Sequence, residues 1–180
     1  MDVSTFIVIA VVVVVLVYAI MIYNNLVRLK HGVSQAWSNI DVLLKQRHDE
    51  LPKLVETCKQ FMGYEQETLR QVMEARSRVA EAREAGDVAA LGPAETQLRL
   101  GLGNLFAVAE DYPELKASES FQHLQSRISG LENTIADRRE YYNEAVNNNN
   151  VRIEQFPDVL IARKFGFTAR DLLEFSDEEK

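Results

Sequence analysis

Residues 3–23 read VSTFIVIAVVVVVLVYAIMIY, an apolar run without a single charged side chain. At a helical rise of about 1.5 Å per residue such a run spans roughly 30 Å, the thickness of a bilayer's hydrocarbon core. Three readings compete for it. A cleavable signal peptide needs a basic start, a shorter apolar centre and a small-x-small cleavage site. Here the charges at the start are the α-amine and Asp2, and the run ends in Met21, Ile22 and Tyr23. The lone cysteine is Cys58, far from the end of the run, so lipoprotein attachment has no support either. A core helix of a small domain would carry charges along its outer face, and this run has none. The expectation is a retained transmembrane anchor over residues 1–24, with membrane lipid as its partner through residues 3–23 and Tyr18 and Tyr23 suited to the interface.

Orientation follows from few charges. No Lys or Arg precedes the run, whereas Arg28 and Lys30 follow it closely. The excess of basic residues on the cytoplasmic side predicts a single-pass protein of the inner (cytoplasmic) membrane with its large domain in the cytoplasm. A single cysteine, unable to form a disulfide within the chain, agrees with a reducing compartment.

The remainder of the 180 residues suffices for one domain with one core. Lys and Arg number 20 against 27 Asp and Glu, a net charge of −7. There is no basic stripe to neutralise phosphates, so nucleic acid is excluded as a partner. Strand-like alternation is absent beyond the anchor. The fold class expected is all-α: a transmembrane helix running into an up-and-down antiparallel bundle of three to four long helices.

No glycine or proline intervenes between the run and Gly32, so the anchor is expected to continue as a stiff helix into the domain. Apolar residues then recur at three-four spacing through Leu26, Leu29, Val33, Trp37, Ile40 and Leu44. After a gap at Arg47 the stripe resumes at Leu51, Leu54 and Cys58; it weakens at Glu65 and returns at Leu69, Val72 and Val79. Such a repeat is a seam for partner helices. Pro52 interrupts it, and a proline inside a helix costs about 3 kcal/mol. The stripe keeps its phase across Pro52, which favours a kink or short break over a reversal.

Gly86-Asp87 and Leu91-Gly92-Pro93 predict a connection of about eight residues. A second helix carries Leu98, Leu102, Leu105 and Ala109 on one face and ends before Pro113. Gly101 and Gly103 within it predict close approach of a neighbour. The last long helix opens at Ser118, a fitting N-cap, with Phe121, Leu124, Ile128, Leu131 and Ile135 along its seam, and stops at Pro157. The Asn147 to Asn150 run near its end predicts fraying or bending. A short helix over residues 158–165 and an acidic tail over 168–180 complete the chain, leaving 25–167 as the bundle.

A catalytic site is not expected. A carboxylate-bridged two-metal centre needs inward glutamates and two Glu-x-x-His pairs, and none of His31, His48 and His123 lies three after a glutamate. Glu119 and His123 alone cannot close a metal shell. Gly101-Leu102-Gly103 lacks both the third glycine and the preceding strand of a dinucleotide loop. Cys58 lies on the apolar stripe, where a buried inert thiol is the ordinary case. Trp37 reads as core. Tyr142, Asn133, Arg139 and Asn143 are polar groups beside the seam of the last helix, where hydrogen bonds fix register. No catalytic, cofactor-binding or metal residue is assigned.

Residues along nearly the whole chain have a further likeness. Tyr23-Asn24 leaves the run, followed by Ala36-Trp37-Ser38-Asn39-Ile40-Asp41-Val42 and Leu51-Pro52-x-Leu54-Val55-Glu56-Thr57. Then come Ala107-Val108-Ala109-Glu110-Asp111-Tyr112-Pro113-Glu114-Leu115-Lys116-Ala117, Phe121-x-x-Leu124-Gln125, Glu132-Asn133, Tyr142-Asn143, Phe156-Pro157 and Phe165-Gly166-Phe167. In these the chain resembles the LemA family of bacterial membrane-anchored proteins. Asn149-Asn150 stands where that family usually has Tyr-Asn. The resemblance implies one span and a helical bundle and supplies no catalytic residues; some relatives take part in building magnetosome membranes.

The function expected is a non-enzymatic membrane-anchored scaffold that self-assembles as a homo-oligomer through the span and the stripe. It would organise or shape the membrane or other membrane proteins. The alternative is a signalling or stress-response bundle that transmits a helix shift at the membrane.

Overall fold

The computed structural model describes residues 2–175. The anchor helix does run on without a joint: α1 is one helix over Val3–Lys59, 57 residues, or about 85 Å. Its first part is exposed among the described residues, and Ile22 is the first buried residue along it. From there the stripe turns inward through Leu26, Val33, Ile40, Leu44, Leu51 and Leu54.

The helix neither breaks nor reverses at Pro52; it ends seven residues later, at Lys59, and turns back through residues 60–65. The break therefore falls where the stripe weakened, near Glu65. Pro52 is accommodated from outside the helix. A proline in the interior leaves the carbonyl four residues back without its N–H donor. That carbonyl belongs to His48, and Arg76 of the neighbouring helix donates to it through Nε at 2.9 Å. The same guanidinium places Nη2 at 2.6 Å from His48 Nε2. Arg76 can only donate, so Nε2 must accept and the imidazole is neutral, with its proton on Nδ1.

Helix α2 (Gln66–Ala85) comes back along α1 as far as Asp41, which Arg83 reaches at 3.2 Å. The connection to α3 (Val88–Ala109) is two residues, shorter than expected, because Gly86 ends α2 at φ 66° and Asp87 caps α3 by accepting from the Ala90 N–H at 2.9 Å. Leu91, Gly92 and Pro93 lie inside α3 and are not loop. Gly101 sits in ordinary contact with Val72 of α2, but space around Gly103 is open, so close packing explains the first glycine only. A short α4 (Pro113–Ala117), begun by Pro113, leads to α5 (Glu119–Glu154), capped by Ser118 as expected.

Helix α5, 36 residues long, is antiparallel to α1 along most of the folded part. Trp37 meets Tyr142 at a ring separation of 5.7 Å, and Arg47 meets Glu132. Ten residues out along α1 thus match ten back along α5. The α2–α3 hairpin covers only the outer half of α1; towards the apolar end, α1 and α5 continue together to α6 (Asp158–Phe165). Residues 166–175 then run back beside α5. The described residues hold six helices and no strand, an all-α bundle as expected.

The Pro52 arrangement gives an energetic coupling. Arg76→Ala should cost about 1.5–3 kcal/mol of unfolding free energy, and clearly less in a Pro52→Ala background, where residue 52 supplies its own N–H to His48. Equal costs in both backgrounds, by denaturant titration, would refute it. Burial and then the nearby Arg76 charge hold the His48 pKa below its ordinary 6.5. A lowered folded-state pKa gives stability present above the unfolded value and lost as pH falls below it. Acidification from about pH 7.5 to 5.5 should therefore lower the unfolding midpoint more in the parent than in His48→Gln.

Candidate functional site

Residues with chemical potential are dispersed. Among the described residues no three of His, Cys, Asp and Glu come together as a metal site. His31, Glu119 and His123 lie on the surface. Cys58 is fully buried, and burial pushes its thiol up to about 11, so it is a protonated core group at neutral pH. Trp37 is half-buried against the core. The arrangements that stand out are instead three devices that hold the helices at defined heights.

The first is a buried charge cluster. Arg47, read in the sequence as a gap in the stripe, is 1% exposed and occupies a seam position between Leu44 and Leu51. Its Nη1 donates to Glu132 of α5 at 2.6 Å and its Nη2 to the equally buried Glu95 of α3. Arg99 lies 3.7 Å from the other Glu132 oxygen. Burial opposes the Arg47 charge, but Glu95 and Glu132 outweigh it and hold the guanidinium more firmly protonated than usual. Burial pushes the Glu95 carboxyl up, with Arg47 working against that rise. Arg47 Nε and Glu95 Oε2 are buried without a hydrogen-bond partner among the described residues. A second tie, Arg127 to Glu50 at 2.9 Å, joins α5 to α1 nearby.

The second device is a strap. Asn143 accepts from the Leu173 N–H at 2.8 Å and donates to the Leu173 carbonyl at 3.0 Å. Asn150 does the same for Arg170, at 2.9 and 2.8 Å. Seven helical residues rise about 10.5 Å, and three extended residues cover about 10 Å, so the two amides are spaced to hold an extended chain. Tyr142 donates to the Asp171 carbonyl at 3.0 Å, and Asn149 lies buried beneath the strap. The expected fraying at Asn147 to Asn150 does not occur: α5 stays helical to Glu154, and the amides of Asn149 and Asn150 gain partners outside the helix. Gly92 completes the seat. A Cβ there would sit 2.0 Å from the Glu174 carbonyl oxygen. Leu173 is buried, and the Arg139 guanidinium lies 4.0 Å over the Phe175 ring. The start of the anticipated acidic tail is thus part of the domain, while residues 176–180 lie outside the described residues.

The third device is the base, where the exposed apolar stretch of α1 ends. Ile22 and Leu26 bury against Ile153 of α5 and Ala162 of α6. Tyr23 makes edge contacts with Phe165 at 4.9 Å and Phe167 at 5.8 Å. Gly166 at φ 70° ends α6 and lets Phe167 turn back onto α1. Arg152 pairs with the buried Asp158 and pins the first turn of α6 to α5.

Of the polar groups expected to fix register beside the seam of the last helix, Tyr142 and Asn143 do form hydrogen bonds, but to the backbone of the strap and not across a helix seam. The sequence reading missed Arg47, Glu95 and the strap; the one available signal was a charge standing in phase with an apolar stripe. Arg47→Leu should destabilise the fold by about 3–5 kcal/mol by leaving Glu95 buried and unpaired, and adding Glu95→Leu should recover much of that loss. Thermal unfolding of single and double variants checks both, and no recovery would contradict the pairing.

The LemA family model matches residues 36–180. The chain is 26% identical over 171 residues to magnetosome protein MamQ 2 of Paramagnetospirillum magneticum, covering 82% of this chain and 63% of that protein. It is 23% identical over 171 residues to magnetosome protein MamQ of Magnetospirillum gryphiswaldense, with the same coverage. It is 26% identical over 159 residues to protein LemA of Metamycoplasma hominis, covering 87% and 71%. The chain thus spans about 63% of the length of its magnetosome relatives. By the extent of the family match, the chain belongs to the LemA family.

Proposed function

We propose that this protein is a non-enzymatic, membrane-anchored helical scaffold of the inner membrane, with residues 3–23 in lipid and the bundle on the cytoplasmic side. The observation that carries the reading is the continuity of α1, whose exposed apolar third and buried two-thirds form one helix. A free end of that apolarity is a poor surface for water, and its length suits a bilayer. Arg28 and Lys30 just beyond it support the cytoplasmic placement. The relatives named as magnetosome proteins fit a role in organising or shaping a membrane.

The stripe of α1 is used up inside the chain, against α5 and α2, so self-association falls to the span and to outer surfaces. A stiff mount orients neighbouring bundles whenever neighbouring spans meet. The same stiffness favours a second reading, in which a shift of the span is transmitted to the Arg47 cluster as a signal.

Cysteines placed at Val12 in the span and at the exposed Val42 on α1 should both crosslink between copies in native membranes. A short Gly-Ser insertion after Asn25 should preserve the Val12 crosslink and abolish that at Val42. Monomers alone at high density, by crosslinking and by mass in detergent, would overturn assembly. Loss of neither crosslink on insertion would overturn the stiff mount. Export of a reporter fused at Lys180 would reverse the placement and favour the signalling reading.

A further inference from the structure

We propose that α6 is a second membrane contact: a short foot lying in the headgroup zone of the bilayer that α1 crosses, and preferring anionic lipid. The inference rests on residues 3–23 being a membrane span.

Height is set by contacts already described. If the hydrocarbon core ends about 30 Å along α1 from Val3, its boundary falls at Tyr23. Tyr23 is the residue whose ring meets Phe165 and Phe167. Ala162 shares a buried cluster with Ile22 and Leu26. The Arg152–Asp158 pair and the buried Ala162 fix α6 to the bundle, so it cannot move away from that level as a free tail would.

The outward surface of α6 has the composition that this level favours. Its inner face carries Asp158 and Ala162, both buried. Leu160 is 60% exposed and lies on the helix surface between Arg163 and Lys164, three and four residues on. Phe156, just before the helix, and Phe165, its last residue, are 81% and 57% exposed. Among the described residues Phe156 and Leu160 are left largely uncovered, and Phe165 stays more than half exposed although its ring meets Tyr23. At a bilayer boundary the rings and Leu160 enter the acyl edge while the two cationic heads remain among the headgroups.

Charge points the same way. The chain carries a net −7, yet Arg28, Lys30, Arg163 and Lys164 gather at this end, with Glu154 as an exposed acid beside them. A basic cluster at the membrane boundary of an acidic protein is placed to meet anionic headgroups. The span by itself allows α1 to tilt and rotate; a foot beside it would fix both, and with them the direction in which the bundle stands.

The test uses the full-length protein in lipid nanodiscs, with Cys58→Ala and a spin label at one of four positions. Labels at Phe156→Cys and Leu160→Cys are read against Val12→Cys in the span and Tyr64→Cys at the outer tip. The foot predicts that labels at 156 and 160 collide several-fold more with oxygen than with a water-soluble nickel chelate, as at 12, and that 64 shows the reverse. Phosphatidylglycerol in the disc should deepen the 160 label relative to phosphatidylcholine alone. Arg163→Glu with Lys164→Glu, both on the surface, should remove that difference. Aqueous labels at 156 and 160 with a lipid-exposed label at 12 overturn the foot and leave the anchor standing. An aqueous label at 12 overturns the anchor and the foot together. Labels at 156 and 160 shielded from both agents, in either lipid, would point to a protein partner and overturn the lipid assignment. Insensitivity of the 160 label to lipid charge or to the double reversal overturns the preference for anionic lipid.

Discussion

Arg47 has no route to water, and most of the architecture can be traced from that constraint. A guanidinium in an apolar seam must find carboxylates there, and it finds one on each of two helices, Glu95 of α3 and Glu132 of α5. Directional bonds between rigid helices do more than hold them together. They choose one height for α3 and one register for α5, where apolar seams alone tolerate sliding by a turn. The pair between Trp37 and Tyr142 repeats the same register ten residues closer to the apolar end. Ile153 against Leu26 continues it to the base. The height of α6 relative to the apolar stretch is thus set by a register chosen deep in the bundle.

Polar groups near the base act by a different logic. The strap has few side chains to bury, and an isolated extended segment leaves its backbone groups to water. Asn143 and Asn150 replace a neighbouring strand by offering one acceptor and one donor each at a spacing that an extended chain matches. The strap fills the groove beside α5 where the α2–α3 hairpin no longer reaches, and Gly92 lets it touch the start of α3. Two halves of unequal width, four helices outside and a pair with a strap near the base, follow from the short α2 and α3.

Consequences for function lie in which surfaces remain free. A heptad seam invites the reading of a coiled coil between copies, but here the partner helices come from the same chain. The longest uncovered apolar surface is the first third of α1, with the outer surface of α6 next to it; Val42, Tyr64, Leu100 and Tyr141 are exposed singly elsewhere. The first two surfaces belong to one end of the molecule. A protein whose longest free apolar surface lies at one end, on a helix stiff enough to carry orientation, is built to stand on something.

Much of this was legible in the residues. The apolar run, its continuity into the domain, the all-α class, the Ser118 cap and the limits of α6 are local matters, decided by periodicity, capping chemistry and the absence of breakers. The spaced pairs of the family resemblance even include Glu132, Tyr142-Asn143 and Phe165-Gly166-Phe167, whose contacts now give them reasons. Where local signals misled, a distant group had intervened. Pro52 stays in the helix because Arg76 serves the carbonyl it strands; Gly92 lies inside a helix, where its missing Cβ leaves room for the Glu174 carbonyl; Asn149 and Asn150 hold because a strap folds back. Sequence by itself determined which segments are helical and which end is apolar, since those depend on neighbours within a turn or two. Only the tertiary structure decided which helix answers Arg47 and how α5 is set against α1. Such partners lie tens of residues apart, and their pairing is chosen by the joint burial of charges that no single segment can satisfy.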